Sequence, residues 1–471
     1  CTTDNNPCTA DLCSGSGTCT HDNVMDNTSC ATGQFCRGGT CTSGCVIGGT
    51  FFAAGATNGL WLNQGGGNVE IARAGVTGGL GPGIAGLTFE NDENFARQLM
   101  YSSSGRLLMH GRVGNGASYD EALLSWNNGW APCAADGSTD DALDPGVSGG
   151  IFDNLSTGYG YAVLANARVF GVNRMYRLNN WRMGVWEFCD GGPRALAIED
   201  SVGAFGPGMG AASYFTSLRN HPSALGDDGV VMRGAGKADD LAGTVGHQGY
   251  FWIRPAGNAP VALDQRTDQF GPQIPGFAFH SFIGGTASAG RWFAFDAYIR
   301  GPNGDVSGLF RWHPDVGIQP VALQRVPAYS PAPTRFWNVL SDFALAPNGD
   351  VILYASTCDR SPDNATCIVS SIEYGIWKVS ATGVATRVLG RGDTVSFHTV
   401  ATGPASAPIN SVAIDWAERG LTSSFDANGR DGWLSSDGWM TAAVTGQGSS
   451  IEHHVRLRAF DPDVLLSDGF E

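Results

Sequence analysis

The sequence predicts an all-β chain: a β-propeller, seven blades favoured and six the alternative count, preceded by a small N-terminal disulfide-rich module. Three observations carry this. From about Thr50 onward, an aromatic anchor followed by a polar turn and a second apolar run recurs roughly every sixty residues, a period that suits one four-stranded blade. Of 471 residues, 68 are glycine, 24 phenylalanine and 13 tryptophan, and lysine is very scarce, a composition for short strands and tight turns rather than long helices. No run of about 18 apolar residues is available to cross a membrane as a helix. The 44 acidic residues outnumber the 28 Lys plus Arg, giving a formal net charge of −16. Such a polyanion repels nucleic acid and anionic lipid, so neither is an expected partner.

Residues 1–46 are the first element. Eight of the twelve cysteines fall here, at Cys1, Cys8, Cys13, Cys19, Cys30, Cys36, Cys41 and Cys45, and only Leu12, Val24, Met25 and Phe35 could seed a core. A segment this poor in apolar surface needs covalent staples to offset its chain entropy. With no Cys-x-x-Cys knuckle, zinc is the weaker reading, and "CTH" at Cys19 to His21 lacks the spacing of haem attachment. Disulfides imply an oxidising location, and a first residue other than Met implies a processed form or fragment. Lipidation of Cys1 would leave seven thiols to pair, which argues against it. The stretch "CTTDNNPCTADLCSGSGTCTHDNVMDNTSC" resembles the Cys-rich repeats of bacterial secreted and surface proteins, which implies a spacer or contact module.

Residues 47–462 hold the repeats. The anchors are Trp61, Trp126, Trp186, Trp252, Trp312 and Trp377, at intervals of 65, 60, 66, 60 and 65 residues. After each comes a second apolar run such as "NVEIARAG" (68–75), "PRALAIED" (193–200) or "QPVALQR" (319–325), and often a Gly-Pro turn such as "GLGPG" (79–83) or "FGPG" (205–208). Ahead of the anchor stands a third strand, as in "DDGVVMRG" (227–234) and "AGRWFAFDA" (289–297). A β-helix would repeat at a shorter period and a sandwich would not repeat. The recurring Trp is read first as an aromatic packed between neighbouring blades. A last unit begins at "SSFDANGRDGWLSS" (423–436) and continues at "HHVRLRAF" (453–460), completing seven. The order of strands resembles bacterial tandem-repeat propellers built on an Asn-x-x-Gly-x-x-x-Phe-x-Ala strand, a Gly-Ile-Trp strand and an Ala-Arg-x-Gly-Asp strand. That resemblance implies architecture more than activity. The tail, 463–471, resembles an Asp-Gly-Phe-Glu ending of exported bacterial proteins.

Candidate chemistry is sparse. The Arg-Gly-Asp triplet at 391–393 falls where Ala74-Gly75 and Glu199-Asp200 fall in their units, and so reads as a repeat turn before an adhesion ligand. "SSFDANGRDGW" resembles the Asp-box turn of sialidase-like propellers, and also a calcium loop in which Asp426, Asn428 and Asp431 would be ligands with Arg430 misplaced among them. The acidic turn with Asp140, Asp141 and Asp144 is a second calcium candidate. Neighbouring His453 and His454 on a strand point to opposite faces and cannot share an ion. No nucleophile elbow, zincin motif or phosphate loop occurs. Outside the first module, Cys358 and Cys367 flank a polar insertion and Cys133 and Cys189 recur in consecutive units, so Cys133–Cys189 and Cys358–Cys367 bridges are expected. The expectation is a non-enzymatic extracellular structural or adhesive protein. It would self-associate through its Cys-rich arm, with calcium as the one candidate cofactor and surface glycan as a further partner. The alternative is a secreted lectin or sialidase-like glycosidase using the pocket at the propeller axis.

Overall fold

A computed structural model describes residues 45–51, 57–63, 68–91, 95, 98–101, 106–137, 143–237 and 246–399 apart from breaks of a few residues, with the strands lying within 9–43 and at 403–414, 439–446 and 452–458. The chain is an all-β propeller. Its contacts divide into two units, Cys1–Glu199 and Asp200–Glu471. In the first 45 residues a hairpin pairs Thr9–Cys13 with Cys19–Asn23, and a three-stranded sheet follows, with Cys13 opposite Cys19 and Cys36 opposite Cys41 in the backbone register.

Seven antiparallel sheets then follow in chain order. Sheet I has three strands, Cys45–Phe51, Thr57–Asn63 and Asn68–Arg73. Its register matches the second, third and fourth strands of the others. In sheets II and III the second to fourth strands are Leu107–Gly114, Tyr119–Trp126 and Trp130–Ala135, then Val169–Arg177, Asn180–Phe188 and Arg194–Ile198. In sheet IV they are Gly229–Lys237, Gly246–Ile253 and Ala259–Leu263. Sheet V runs Ala278–Ala289, Trp292–Gly301, Gly304–His313 and Gly317–Leu323. Sheet VI runs Arg335–Leu345, Val351–Asp359, Glu373–Val379 and Ala385–Gly390. Sheet VII comprises Thr394–Thr399, Gly403–Ile414, Trp439–Gly446 and Glu452–Arg458.

One bulge recurs between third and fourth strands. The register slips at Leu60/Trp61, Leu123/Leu124, Val185/Trp186, Tyr250/Phe251, Leu309/Phe310 and Ile376/Trp377. An extra residue on the fourth strand bends it there. The large residue just after the slip lies over a small one two positions earlier: a methyl on Gly59 would stand 2.8 Å from the Trp61 ring, and one on Gly375 would stand 2.8 Å from the Leu389 carbonyl. Gly184, Gly249 and Gly308 occupy the same place, and Ala122 holds it two residues before Leu124. The six tryptophans therefore do not share one register position. Trp61, Trp186 and Trp377 fill it, whereas Trp126, Trp252 and Trp312 lie one or two residues beyond Leu124, Phe251 and Phe310. The site requires bulk over a small neighbour, and more than one residue type meets that need.

The fourth strand leaves its sheet through a second repeated device. Gly75, Gly137, Asp200, Gln265, Arg325 and Gly392 have φ of 71°, 63°, 55°, 58°, 57° and 86°. The N–H of the residue before returns to the third strand, as Asp264 to Gln248 O at 2.9 Å, and the left-handed residue's own N–H reaches forward to an aromatic carbonyl, as Gln265 to Phe279 at 2.8 Å. Gly75 to Phe89, Gly137 to Phe152, Asp200 to Phe215 and Arg325 to Trp337 repeat that bond at 2.9 to 3.0 Å, and all five aromatics are buried. The Pro-Gly turns then dock backbone on backbone: Gly146, with φ of 62°, faces the Pro193 carbonyl where a Cβ would stand 2.6 Å away, and the Trp186 indole donates to Pro145 O at 2.9 Å. A disulfide joins Cys133, the extra residue of the bulge in sheet II, to Cys189 just after the third strand of sheet III, and another joins Cys358 to Cys367.

These two devices predict opposite signs. Gly184→Ala drives a methyl into Trp186 and the Ala197 carbonyl and is expected to cost on the order of 1–3 kcal/mol. Gln265→Gly relieves a left-handed side chain at an exposed turn and is expected to gain up to about 1 kcal/mol. Thermal or urea unfolding of the two variants checks both.

Candidate functional site

Aligning the sheets on the bulge places one residue of each second strand in a common column: His110, Val172, Arg233, Asp296 and Tyr354, opposite Leu123, Val185, Tyr250, Leu309 and Ile376. The first strand is broken at or beside this column in every case. Thr88–Phe89 and Gln98–Tyr101 both pair with the second strand of sheet II, Ile151–Asn154 and Tyr161–Val163 with that of sheet III, and Tyr214–Leu218 and Ser223–Leu225 with that of sheet IV. In sheet V the break is the bulge at Phe282/Thr286, and in sheet VI the slip at Leu340/Asp342. Backbone amides released by these breaks need partners from the column.

In the second unit, three sheets converge on the bulge of sheet V. Asp296 Oδ1 accepts the N–H groups of Gly284 at 3.0 Å and Gly285 at 2.8 Å. Arg233 of sheet IV brings its Nη1 to 3.8 Å from where a Cβ on Gly284 would stand, and Phe343 of sheet VI comes within 3.2 Å of the same point on Gly285. Burial pushes the Asp296 carboxyl up to about 6, against the pull of the two amides and the field of Arg233. On the other face of sheet VI, Asp342 pairs in register with Tyr354, whose ring stacks on Tyr374 at 5.5 Å. Burial, with Tyr374 and Asp342 nearby, pushes Tyr354 up to about 12. Tyr298, two residues beyond Asp296 on the same face, is 44% exposed and Tyr374 41%. A carboxyl poised between charge states thus lies in the field of a guanidinium, with an open tyrosine ring two residues along its strand.

The first unit carries a more enclosed polar cluster. His110 is fully buried with neither ring nitrogen hydrogen-bonded, and its Nε2 lies 3.5 Å from Glu121 Oε2. The buried Tyr161 hydroxyl donates to Asn173 Oδ1 at 3.3 Å, and burial raises its pKa. Asp136 accepts the Leu155 N–H at 2.7 Å, yet burial, assisted by Glu121, Asp120 and Asp153, pushes it up to about 7. At the equivalent exit positions Glu199 accepts the Met183 N–H at 3.1 Å and Asp264 the Gln248 N–H at 2.9 Å. Those two cap their own third strands, whereas Asp136 reaches the break in the first strand of sheet III.

Of the sequence candidates, Asp144 accepts the Gly146 N–H at 2.7 Å in a turn. Asp140, Asp141, Asp426, Asn428 and Asp431 lie outside the described residues, as do the side chains of Cys1, Cys8, Cys13, Cys19, Cys30, Cys36, Cys41 and Cys45 and those of His453 and His454. Among the described residues no group of three acidic, His or Cys side chains is placed to hold a metal ion. The Arg-Gly-Asp triplet is the repeated exit turn: Gly392 is its left-handed residue, and Asp393 accepts the Gly390 N–H at 2.8 Å and an Arg387 N–H at 2.6 Å. Arg233, Asp296 and Tyr354 escape a sequence reading aligned on Trp. An alignment on Gly-x-aromatic would have placed them together.

No family model and no curated protein matches the chain. Solved structures that resemble it include an oligogalacturonate lyase in complex with manganese, at 9% identity over 88% of this chain and 86% of that one, TM-score 0.32. A Penicillium chrysogenum α-L-arabinanase complexed with arabinobiose matches at 9% identity over 78% and 92%, TM-score 0.25, and the polysaccharide lyase Uly1 at 8% over 78% and 90%, TM-score 0.29. The expectation that the chain is not an enzyme is corrected here, since all three are enzymes. At such TM-scores they lend no argument for a particular reaction.

The raised carboxyls set a pH dependence. Asp136, raised from 3.8 to about 7, contributes stability that is fully present below about pH 4 and is lost as pH rises through 7. Asp136→Asn is therefore expected to be stabilised relative to wild type at pH 8 and to lose that advantage at pH 4.5, as read from melting temperatures across that range. An advantage that does not change with pH would remove the assignment.

Proposed function

We propose that the chain is an extracellular carbohydrate-active propeller that binds and processes a polysaccharide across the second strands of sheets IV and V. The observation that carries this is the placement of Asp296 between the Gly284 and Gly285 amides and the charge of Arg233, with the open ring of Tyr298 two residues along the same strand. Sugar rings present apolar C–H faces that pack on aromatic rings, and hydroxyls that need paired donors and acceptors. Asp296 adds a titrating group: with its carboxyl raised to about 6, it carries a proton in mildly acidic medium and can deliver it to a glycosidic oxygen. The two disulfides suit an oxidising compartment, and no helix among the described residues is long and apolar enough to cross a membrane. In this reading residues 1–46 are a spacer that holds the propeller at a surface, in keeping with the bacterial Cys-rich repeats they resemble.

The test is turnover of a polysaccharide panel by the full chain, read as new reducing ends or unsaturated products, alongside Asp296→Asn. Loss of a general acid is expected to lower the rate on the order of 10²–10⁴-fold, with melting temperature within a few degrees of wild type. A chain that neither binds nor cleaves any member of the panel, or a variant with unchanged rate, would overturn the proposal.

A further inference from the structure

In a chain with 44 acidic and 28 basic residues, arginines find carboxylates readily. Arg112 pairs with Glu90 at 2.7 Å, Arg194 with Glu187 at 2.6 Å, Arg300 with Asp305 at 2.7 Å and Arg335 with Glu373 at 2.6 Å. Among the described residues Arg219 and Arg233 make no hydrogen bond or salt bridge through the guanidinium, as is also true of Arg325 and Arg391. Arg233 is half-buried, and its charge acts on Asp296. Arg219 and Arg233 are held side by side by the backbone, because the Arg219 N–H donates to the Arg233 carbonyl at 2.9 Å where the first strand of sheet IV breaks. Arg233 points at Gly284, the residue whose N–H Asp296 accepts.

From this pair we propose that the polysaccharide bound at the site carries carboxylates, with Arg219 and Arg233 taking a uronate group and Tyr298 of sheet V taking a sugar ring beyond it. The inference rests on the carbohydrate reading above and names its substrate class. A planar guanidinium matches a carboxylate through two parallel N–H bonds. Gly284, with φ of 127° and no side chain, leaves the approach to Arg233 open. Asp296, in the field of Arg233, is then the acid nearest the recognised sugar. The net charge of −16 does not forbid such a ligand, because repulsion from charges more than about 8 Å away is largely screened at physiological ionic strength.

The experiment measures binding of the full chain to a panel of 1,4-linked uronate hexasaccharides, each compared with its carboxyl-reduced neutral counterpart. At least one uronate is expected to bind on the order of tenfold or more tightly than its reduced form. Arg219→Gln, exposed and remote from the core, and Arg233→Gln are each expected to erase most of that difference, and Arg233→Lys to restore only part of it. Equal binding of an oligosaccharide and its reduced form overturns the carboxylate assignment while leaving the carbohydrate site standing. A sulfated neutral oligosaccharide that binds as tightly as the best uronate also overturns it as stated. Failure of every sugar to bind sinks both readings, and a uronate preference untouched in both Gln variants removes these arginines from it.

Discussion

One backbone hydrogen bond, repeated from sheet to sheet, sets where everything else in the molecule can go. At the exit of the fourth strand a residue in the left-handed conformation sends its N–H to the carbonyl of a buried aromatic at the start of the next first strand, as Gln265 does to Phe279 at 2.8 Å. The preceding N–H goes back to the third strand, so two successive amides point in opposite directions and the chain must turn sharply between them. That geometry costs a non-glycine residue about 1–2 kcal/mol, yet Asp200, Gln265 and Arg325 accept it. The bond also pins the beginning of the first strand, while its end is pinned by the ladder to the second. Extra residues in the first strand collect just after the pinned aromatic, as at Phe279/Ser281 and Trp337/Val339, and again in its middle, where the column residues stand.

The breaks are what turn a regular fold into a site. A break frees amides that the ladder no longer uses, and the column residue opposite must answer them or leave the space to a ligand. Asp296 answers with one oxygen for two amides. Arg233, a donor only, can accept no amide, and its charge acts on Asp296 instead. Carboxylates elsewhere behave in the opposite way: hydrogen bonds from Arg266 and Arg300 hold Asp268 and Asp305 below the usual range at the surface. Asp268 and Asp305, held by arginine at the surface, are thus driven down, and Asp136, Asp264 and Asp296 are driven up by burial. The separation follows from how far each acid is withdrawn from water.

Much of the architecture was legible in the sequence, because a sixty-residue period and recurrent Gly-Pro turns each carry a definite backbone meaning. The Arg-Gly-Asp triplet was legible for the same reason: its place at the end of a fourth strand makes Gly392 the left-handed residue of the exit. The register was harder. Trp is a conspicuous letter, but the bulge selects bulk over a small neighbour, which Leu124, Phe251 and Phe310 satisfy as well as Trp186 does, so counting from Trp slips the alignment by one or two residues. A slip of one exchanges the two faces of a strand.

That slip is also why the site was not legible. Sequence reading weighs acids by density and so turns to the crowded runs at 136–146 and 426–431, whereas a carboxyl is perturbed by what surrounds it. Asp296 sits alone in the apolar stretch "RWFAFDA", and its isolation among Phe and Ala is the cause of its raised pKa, since every neighbour that excludes water disfavours its charge. Arg233 in "VVMRGAG" is hidden in the same manner. A lone charged residue inside a strand that otherwise reads as core therefore says more about chemistry in this fold than a cluster in a turn. Water solvates the cluster at little cost, while the lone group holds its place only against the free energy of burial.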